Sequence, residues 1–383
     1  MIAMESMVHG GIERLHNGAG REAVMSPQAV FRCQGRDYAA RHVLASASFH
    51  GEMAGAREAL RNGLACAGYA GEHGYQLDAA ALQAASEQYR AARGLVEAQA
   101  TALWLEARNV SIEDFSDYME RCLWRQRFSD DLDWIRSDYV PAEAEIERLL
   151  WSEAALDDAF DQWALWLARR VALTAECSKN AFIQEEAKEE ESARFLVRAG
   201  LTPEGVATLL SGHRCDAAWL DELIELEAFY RQKRNALRTP VDFSREMQIR
   251  RLALIRIDVE AAAFPAEDIA QEACWCVAED GDSLQDVCAR AGGTRYHASV
   301  FLERLPAELQ QKFLSASAGQ VFHPVKQEDR YWIYRVRRKT EPDIADPEVQ
   351  ERLERALVTK YFDELVDKHI EWFLGRTAMS RDS

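Results

Sequence analysis

The chain has 383 residues, 48% of them apolar, enough to bury a sizeable core and too many for disorder over most of its length. Its 46 lysines and arginines face 64 acidic residues, and the formal charge of −18 argues against a nucleic-acid backbone or an anionic membrane surface as partner. Glycine (20) and proline (9) are scarce, so long helices are expected rather than a many-stranded sandwich, and the length suggests two or three domains.

Residues 1–30 carry Gly10, Gly11, Gly18 and Gly20 with little periodicity and read as a loose lead-in. From Val30 to about Trp134 the pattern is helical throughout, giving an N-terminal helical domain over 31–135. Asp78 is placed to cap a helix running through Leu82, Tyr89 and Leu95 to Trp104. Ser111 with Asp114 three residues on resembles a capping box, opening a helix that carries Phe115, Met119 and Leu123. Pro141 suits a first helical turn, and the helix after it has an apolar stripe at Leu156, Phe160, Trp163, Leu167 and Val171. The charge run QEEAKEEE, Gln184 to Glu191, reads as a solvated helix face or an interdomain bridge. A further helical stretch runs from Thr202-Pro203 through Trp219, Leu223 and Phe229 to about Leu237. The middle region, 136–248, thus shows helices but no chemistry.

The character changes near Arg251. RLALIRIDVE alternates, with Ile255, Ile257 and Val259 against Arg256 and Asp258, and reads as a strand. A helix is expected from Pro265 to about Glu279, then a second one capped by Ser283 and ending at Gly292-Gly293, then a loop with short helical pieces. VFHPVKQEDRYWIYRV reads as a hairpin: Val321 to Val325, a polar turn at Gln327 to Asp329, then Tyr331 to Val336. Asp346-Pro347 starts a final helix with Val349, Leu353, Leu357, Tyr361 and Leu365 on one face. A small mixed domain, 249–340, therefore interrupts a helical protein.

The stretch from about Leu252 to Lys339 resembles a parvulin-type peptidyl-prolyl isomerase domain. Its ending, AGQVFHPVKQEDRYWIYRVRRK, is similar to the family's terminal hairpin, in which a glycine-led turn, a Pro-Val pair and an aromatic strand close the sheet beside the active site. The order strand, helix, helix, Gly-Gly loop, short helix, hairpin also matches. SEQYRAARGLVEAQATALWLEARNVSIEDF resembles the N-terminal region of PpiC/SurA-like chaperones, in which a C-terminal helix returns to the helical body. LDELIELEAFYRQKRNALRTP and DIAQEACWCVAEDGDSLQDVCARAG are similar to parvulin-related proteins of peptide maturation systems. The likeness covers most of residues 75–375. It implies a mainly α protein: a SurA-like helical body with a small, degenerate α+β parvulin-like domain near the C-terminus, and residues 341–375 packing back on the body.

The departures bear on activity. Parvulins place histidines on the first and last strands of the sheet. On the last strand the pattern Tyr-His-aliphatic meets Tyr331-Trp332-Ile333, so Trp332 stands where histidine is expected. On the first strand the matching position falls in Leu252 to Leu254, where there is no histidine. The family's cysteine or acid has no assignable counterpart, so no catalytic residue is assigned. Prolyl isomerisation crosses a barrier of about 18–20 kcal/mol without covalent chemistry. It is accelerated by binding the twisted amide better than the planar one. An aromatic groove without polar groups is therefore expected to hold extended apolar peptide and to accelerate isomerisation poorly. Alternation places Trp332, Tyr334 and Val336 on one face and Tyr331 and Ile333 on the other. By family position Phe313, Leu314, Phe322 and His323 surround the same groove. Each of the six peptide-binding candidates (Trp332, Tyr334, Phe313, Leu314, Phe322, His323) can equally be core or rim, and Trp332 can simply fill the space the histidine left.

No cofactor or metal is expected. None of the nine histidines pair at i, i+4, and Cys274 and Cys276 would point about 200° apart on a helix. There is neither a phosphate-binding glycine loop nor a Gly-x-Ser-x-Gly elbow. Trp104, Trp163, Trp219 and Trp372 read as helix-packing residues. No stretch reaches the roughly 18 apolar residues that span a bilayer, and no secretory signal is visible. The eight dispersed cysteines suit a reducing compartment, so a cytoplasmic location is expected. The expected function is a chaperone or foldase that binds a ribosomally made precursor peptide, or another unfolded polypeptide, during maturation or export. A peptide-modifying enzyme or an exporter is a further expected partner, and the charge favours a basic or neutral client. The alternatives are a working prolyl isomerase and a non-catalytic subunit that presents substrate to a modifying enzyme.

Overall fold

A computed structural model describes residues 29–177, 185–199 and 217–373. The lead-in up to residue 28, the start at Thr202-Pro203 and Cys215 lie outside the described residues. The fold is mainly α, and the chain divides into two compact units: residues 1–233 with 362–383, and residues 234–361.

The first unit opens on a hairpin, β1 (Ala29–Cys33) and β2 (Arg36–Ala39), where the pattern suggests helix. Its two-residue turn, Gln34-Gly35, has φ of 49° and 81°, the pair of positive angles whose twist matches antiparallel strands. The strands are too short for alternation to stand out, and they run straight into α1 (Ala40–Phe49). The last strand among the described residues, β7 (Ile370–Trp372), pairs with the other side of β1 to give the order β2-β1-β7. Trp372 is therefore a strand residue tilted against Phe31, not a helix-packing one.

Then come α2 (Ala54–Glu72), α3 (Ala79–Ala92), α4 (Ala98–Ala107), α5 (Ile112–Arg127), α6 (Leu132–Asp138), α7 (Glu143–Leu156) and α8 (Ala159–Glu176). Asp78 accepts from the Ala80 amide to start α3. The helix then stops before Gly94, at φ 69°, where Leu95 N donates to Arg90 O at 2.8 Å. The stretch Leu82 to Trp104 is thus two helices. Ser111 and Asp114 form a reciprocal capping box at α5. Asp157-Asp158 interrupts the stripe between α7 and α8, yet Leu156, Phe160, Trp163, Leu167 and Val171 are all buried.

Two further helices, α9 (Glu185–Ala199) and α10 (Ala217–Ala236), bring charge into the interior. The acidic run is not wholly solvated. Glu191 is fully buried and accepts from Arg231 Nε at 3.0 Å and Arg198 Nη1 at 3.1 Å. Glu227 of α10, also buried, accepts from Arg170 Nε at 2.5 Å and faces His50 Nε2 at 3.0 Å. Such carboxylates are stable inside only because each desolvated charge has guanidinium partners.

The second unit begins with α11 (Pro240–Arg250), where the Thr239 side chain accepts from Asp242 N and Pro240 takes the first turn. The first strand, β3, covers Arg256–Phe264, later than expected, because Leu254 N still donates to Arg250 O and closes the preceding turn. Next are α12 (Glu267–Ala278) and α13 (Leu284–Ala291), the latter capped by Ser283 and ended by Gly292 in the left-handed region. Where a loop is expected the chain forms β4 (Thr294–Phe301). It continues through α14 (Ala307–Ser315), β5 (Val321–Gln327), β6 (Arg330–Thr340) and α15 (Pro347–His369). The antiparallel sheet has the order β4-β3-β6-β5.

Each face of this sheet buries its own core. Ala262, Phe264 and Ile333 pack against Ala270, Cys274 and Val277 of α12 and Leu284 and Val287 of α13. On the other face Ile257, Val259 and Val336 meet Leu302, Leu309, Phe313 and Phe322. Tyr331 joins the first cluster and Tyr334 the second, so the alternation read from β6 is the one observed. Val349 and Leu353 of α15 close a third cluster with Leu254 and Phe301.

Candidate peptide-binding groove

The groove is built on alanines. Register puts Trp332 opposite Ala263 and Tyr334 opposite Ala261, while Tyr296 on β4 faces Ala261 from the other side. A methyl group fills little of the space above the pleat, so the large rings of the flanking strands lean over β3. Tyr296 and Trp332 have ring centroids 5.1 Å apart, and Trp332 and Tyr334 lie 6.2 Å apart and nearly parallel. Tyr334 continues edge-on to Phe313 at 5.7 Å, and Phe313 meets Phe322 at 4.8 Å. An aromatic row thus crosses the sheet from the β4 edge to α14. Offset and edge-on contacts of this kind add about 0.5–1.5 kcal/mol each beyond area burial.

Exposure sorts the row into surface and support. Tyr296 is 47% exposed, and Trp332 and Tyr334 are half-buried. Phe313 is fully buried and Phe322 nearly so; both are core residues that prop Tyr334 from beneath, and neither offers a contact surface to a peptide. Leu314 lies at the end of α14, where its carbonyl accepts from Lys339 Nζ at 2.7 Å. His323 is exposed in the irregular stretch of β5 between Phe322 and Val325. Of the six candidates, the structure brings Trp332, Tyr334, Phe313 and Phe322 together and leaves Leu314 and His323 at its margins. Tyr296, absent from that set, is the most exposed ring of the row. The alternation of Tyr296, Ala298 and Val300 against Arg295, His297 and Ser299 is its trace in the sequence, too weakly apolar to stand out from a loop.

The polar chemistry here is sparse. Tyr334 Oη donates to Gln327 Oε1 at 3.0 Å, and burial pushes its phenol pKa upward. Leu252 to Leu254, the expected site of the first-strand histidine, precede β3 altogether. The β3 residues that face Trp332 and Tyr334 are alanines. The row therefore has apolar surface for a side chain but no imidazole or carboxyl group aimed at a peptide bond. Elsewhere, the described residues contain no group of three or more histidine, cysteine or acidic side chains placed to hold a metal. Cys274 is buried and Cys276 half-buried, and both are free thiols. No described helix is long and apolar enough to cross a membrane.

No protein family matches the chain, and no curated protein does. Among solved structures it is similar to the peptidylprolyl isomerase PrsA of Bacillus anthracis, at 12% identity and a TM-score of 0.30, covering 54% of this chain and 94% of that one. PrsA of Bacillus cereus is 11% identical with a TM-score of 0.35, covering 60% and 87%. One of two SurA-like chaperones of Campylobacter jejuni is 10% identical with a TM-score of 0.19, covering 58% and 88%. At such identities and scores the likeness is one of outline, and neither family nor activity follows from it.

Proposed function

We propose that this protein is a peptide-binding chaperone or foldase that takes the apolar side chains of an extended, unfolded polypeptide onto the row Tyr296–Trp332–Tyr334. The observation that carries the reading is the row itself: partly exposed rings over an alanine floor, in the place where the parvulin-like pattern expects histidine. Covering about 200 Å² of apolar surface is worth about 5 kcal/mol at ~25 cal/mol per Å², and ordering the client takes back much of that. The result is weak, reversible binding, which suits a protein that must release its client. In the finer form of the proposal the client is a ribosomally made precursor peptide during maturation or export, as the sequence resemblance implies. The proposed compartment is the cytoplasm, and the seven cysteines among the described residues, all free and four of them buried, are consistent with reducing conditions.

The test is the anisotropy of a labelled unfolded peptide titrated with the protein. Trp332→Ala is expected to weaken binding at least about tenfold, or about 1.4 kcal/mol; unchanged affinity overturns the groove. A chymotrypsin-coupled assay is expected to stay near background, and turnover well above it would favour a working isomerase. Affinity capture separates the third reading: a large enzyme recovered without any peptide would make the chain a substrate-presenting subunit.

A further inference from the structure

The two edges of the second unit's sheet are unlike each other. β5 contains Pro324, shifts register between Phe322 and Val325, and has Cys274 of α12 donating to its Phe322 carbonyl at 3.5 Å. Proline, a register break and a covering helix are the devices that stop an edge from recruiting another strand. β4 has neither proline nor register break, and it stays exposed beside its neighbouring helix α13. It contains neither proline nor glycine within Thr294–Phe301, pairs with β3 in unbroken register from Thr294 to Phe301, and is an edge of the sheet. Every residue from Thr294 to Ser299 is exposed. A flat edge of this length presents a ladder of backbone donors and acceptors to whatever extended chain arrives.

We propose that β4 is a docking strand, and that its ligand is an extended polypeptide segment in which apolar residues alternate with acidic ones. The inference rests on the groove reading above and names the class of client it takes. Side chains of an added strand alternate between the two faces of the sheet. On one face they would meet Tyr296, with Trp332 behind it. On the other they would meet Arg295 and His297 of β4; one strand further in lies Glu260 of β3, with Arg335 of β6 beyond it. The carboxylates of that face are already engaged: Glu260 with Arg337 at 3.3 Å and Asp258 with Arg338 at 3.0 Å. Arg295 donates to the neutral Gln285 Oε1 at 3.0 Å. No acidic residue occurs from Arg290 to Leu302. The local surface is thus cationic although the chain as a whole is acidic, which reverses the client charge suggested by the total of −18. Cross-strand pairs of opposite charge contribute about 0.2–1 kcal/mol each, and like charges oppose pairing.

The test uses the full-length protein and four fluorescein-labelled peptides. One alternates valine and phenylalanine with glutamate, and a second carries lysine in place of each glutamate. The other two are the glutamate peptide N-methylated on one or the other set of alternate backbone nitrogens. The glutamate peptide is expected to bind at least tenfold tighter than the lysine peptide. One of the two methylated forms should lose at least tenfold, Arg295→Glu should erase the charge preference, and amides 294–299 should gain hydrogen-exchange protection when peptide is added. The methylated peptides keep the test meaningful even where Ala298→Pro, the direct block on the edge, fails to fold. If both charge types and both methylated forms bind alike while Trp332→Ala weakens them all, the edge proposal fails and the groove stands. If no peptide binds and Trp332→Ala leaves unfolded-client affinity unchanged, both fall. A dimer in light scattering that protects 294–299 without peptide would give the edge to a second copy of the chain and overturn the proposal.

Discussion

A methyl group added at Gly293 would sit 2.4 Å from Phe264 Cε1, a ring that is fully buried beneath α12 and α13. The buried ring blocks the methyl unless the start of β4 shifts, so Gly293→Ala is expected to destabilise by about 1–3 kcal/mol, the range for overpacked cores. Denaturant unfolding checks it, and a midpoint equal to the parent's would show that the site accepts a methyl group. Charge is held as tightly as shape. Glu191 has no solvent exposure and lies among Arg194, Arg198 and Arg231. Glu191→Gln removes the charge that three partly exposed guanidinium groups share and is expected to cost about 1.5–3 kcal/mol, the range for hydrogen bonds to a charged group. Glu190→Gln, at an exposed neighbour, should stay within about 0.5 kcal/mol. Equal effects at the two sites would show that the run is solvated after all.

Elements are legible when their ends carry chemistry. Ser111 Oγ accepts from Asp114 N at 3.0 Å while Asp114 Oδ2 accepts from Ser111 N at 3.2 Å, so α5 starts where the capping box says. Ser111→Ala is expected to lower stability by about 1 kcal/mol, and Ser111→Asp, which keeps the acceptor, to restore most of it. The same reasoning located α12, α13, the β5–β6 hairpin and the split faces of β6. It missed β4 because an edge strand exposed along most of its length carries no apolar alternation strong enough to rank above a loop. It missed β1–β2 because five and four residues are too few for a period of two to differ from one of 3.6. It joined α3 to α4 and α7 to α8 because an apolar stripe continues across a break that only backbone geometry reveals. The aromatic row is legible in Trp332 and Tyr334 and hidden in Tyr296, whose place beside Trp332 depends on β4 pairing with β3.

Charge is unevenly divided over the whole molecule. The second unit, 234–361, has 19 basic and 21 acidic residues, so nearly all of the −18 belongs to the first unit. That unit also holds the buried set in which His50 and Glu227 meet, and its response to acid can be worked out by sign. Burial lowers the His50 pKa, with Arg170 and Arg198 adding to the effect and Glu227 opposing it. A histidine whose folded pKa is depressed binds fewer protons in the native state than in the unfolded one. Folding therefore loses stability as pH falls through the unfolded value of about 6.5. For Glu227 burial works to raise the pKa, but Arg170 and His50 together hold it well below the usual carboxylate range. It adds a second loss of the same sign below about pH 4.5. Glu153, raised mainly by burial despite its pairing with Arg121, has the opposite sign: its native state takes up the extra proton, so it offsets part of the loss only once pH drops toward its own raised pKa. The first decline on acidification from neutrality therefore belongs to His50. The melting temperature is expected to fall between pH 7.5 and 5.5, and His50→Gln, which keeps a hydrogen-bond donor for Glu227 but cannot titrate, should flatten that slope while leaving the decline below pH 4.5. Parallel slopes in parent and variant would place the proton-sensitive group elsewhere in the helical body.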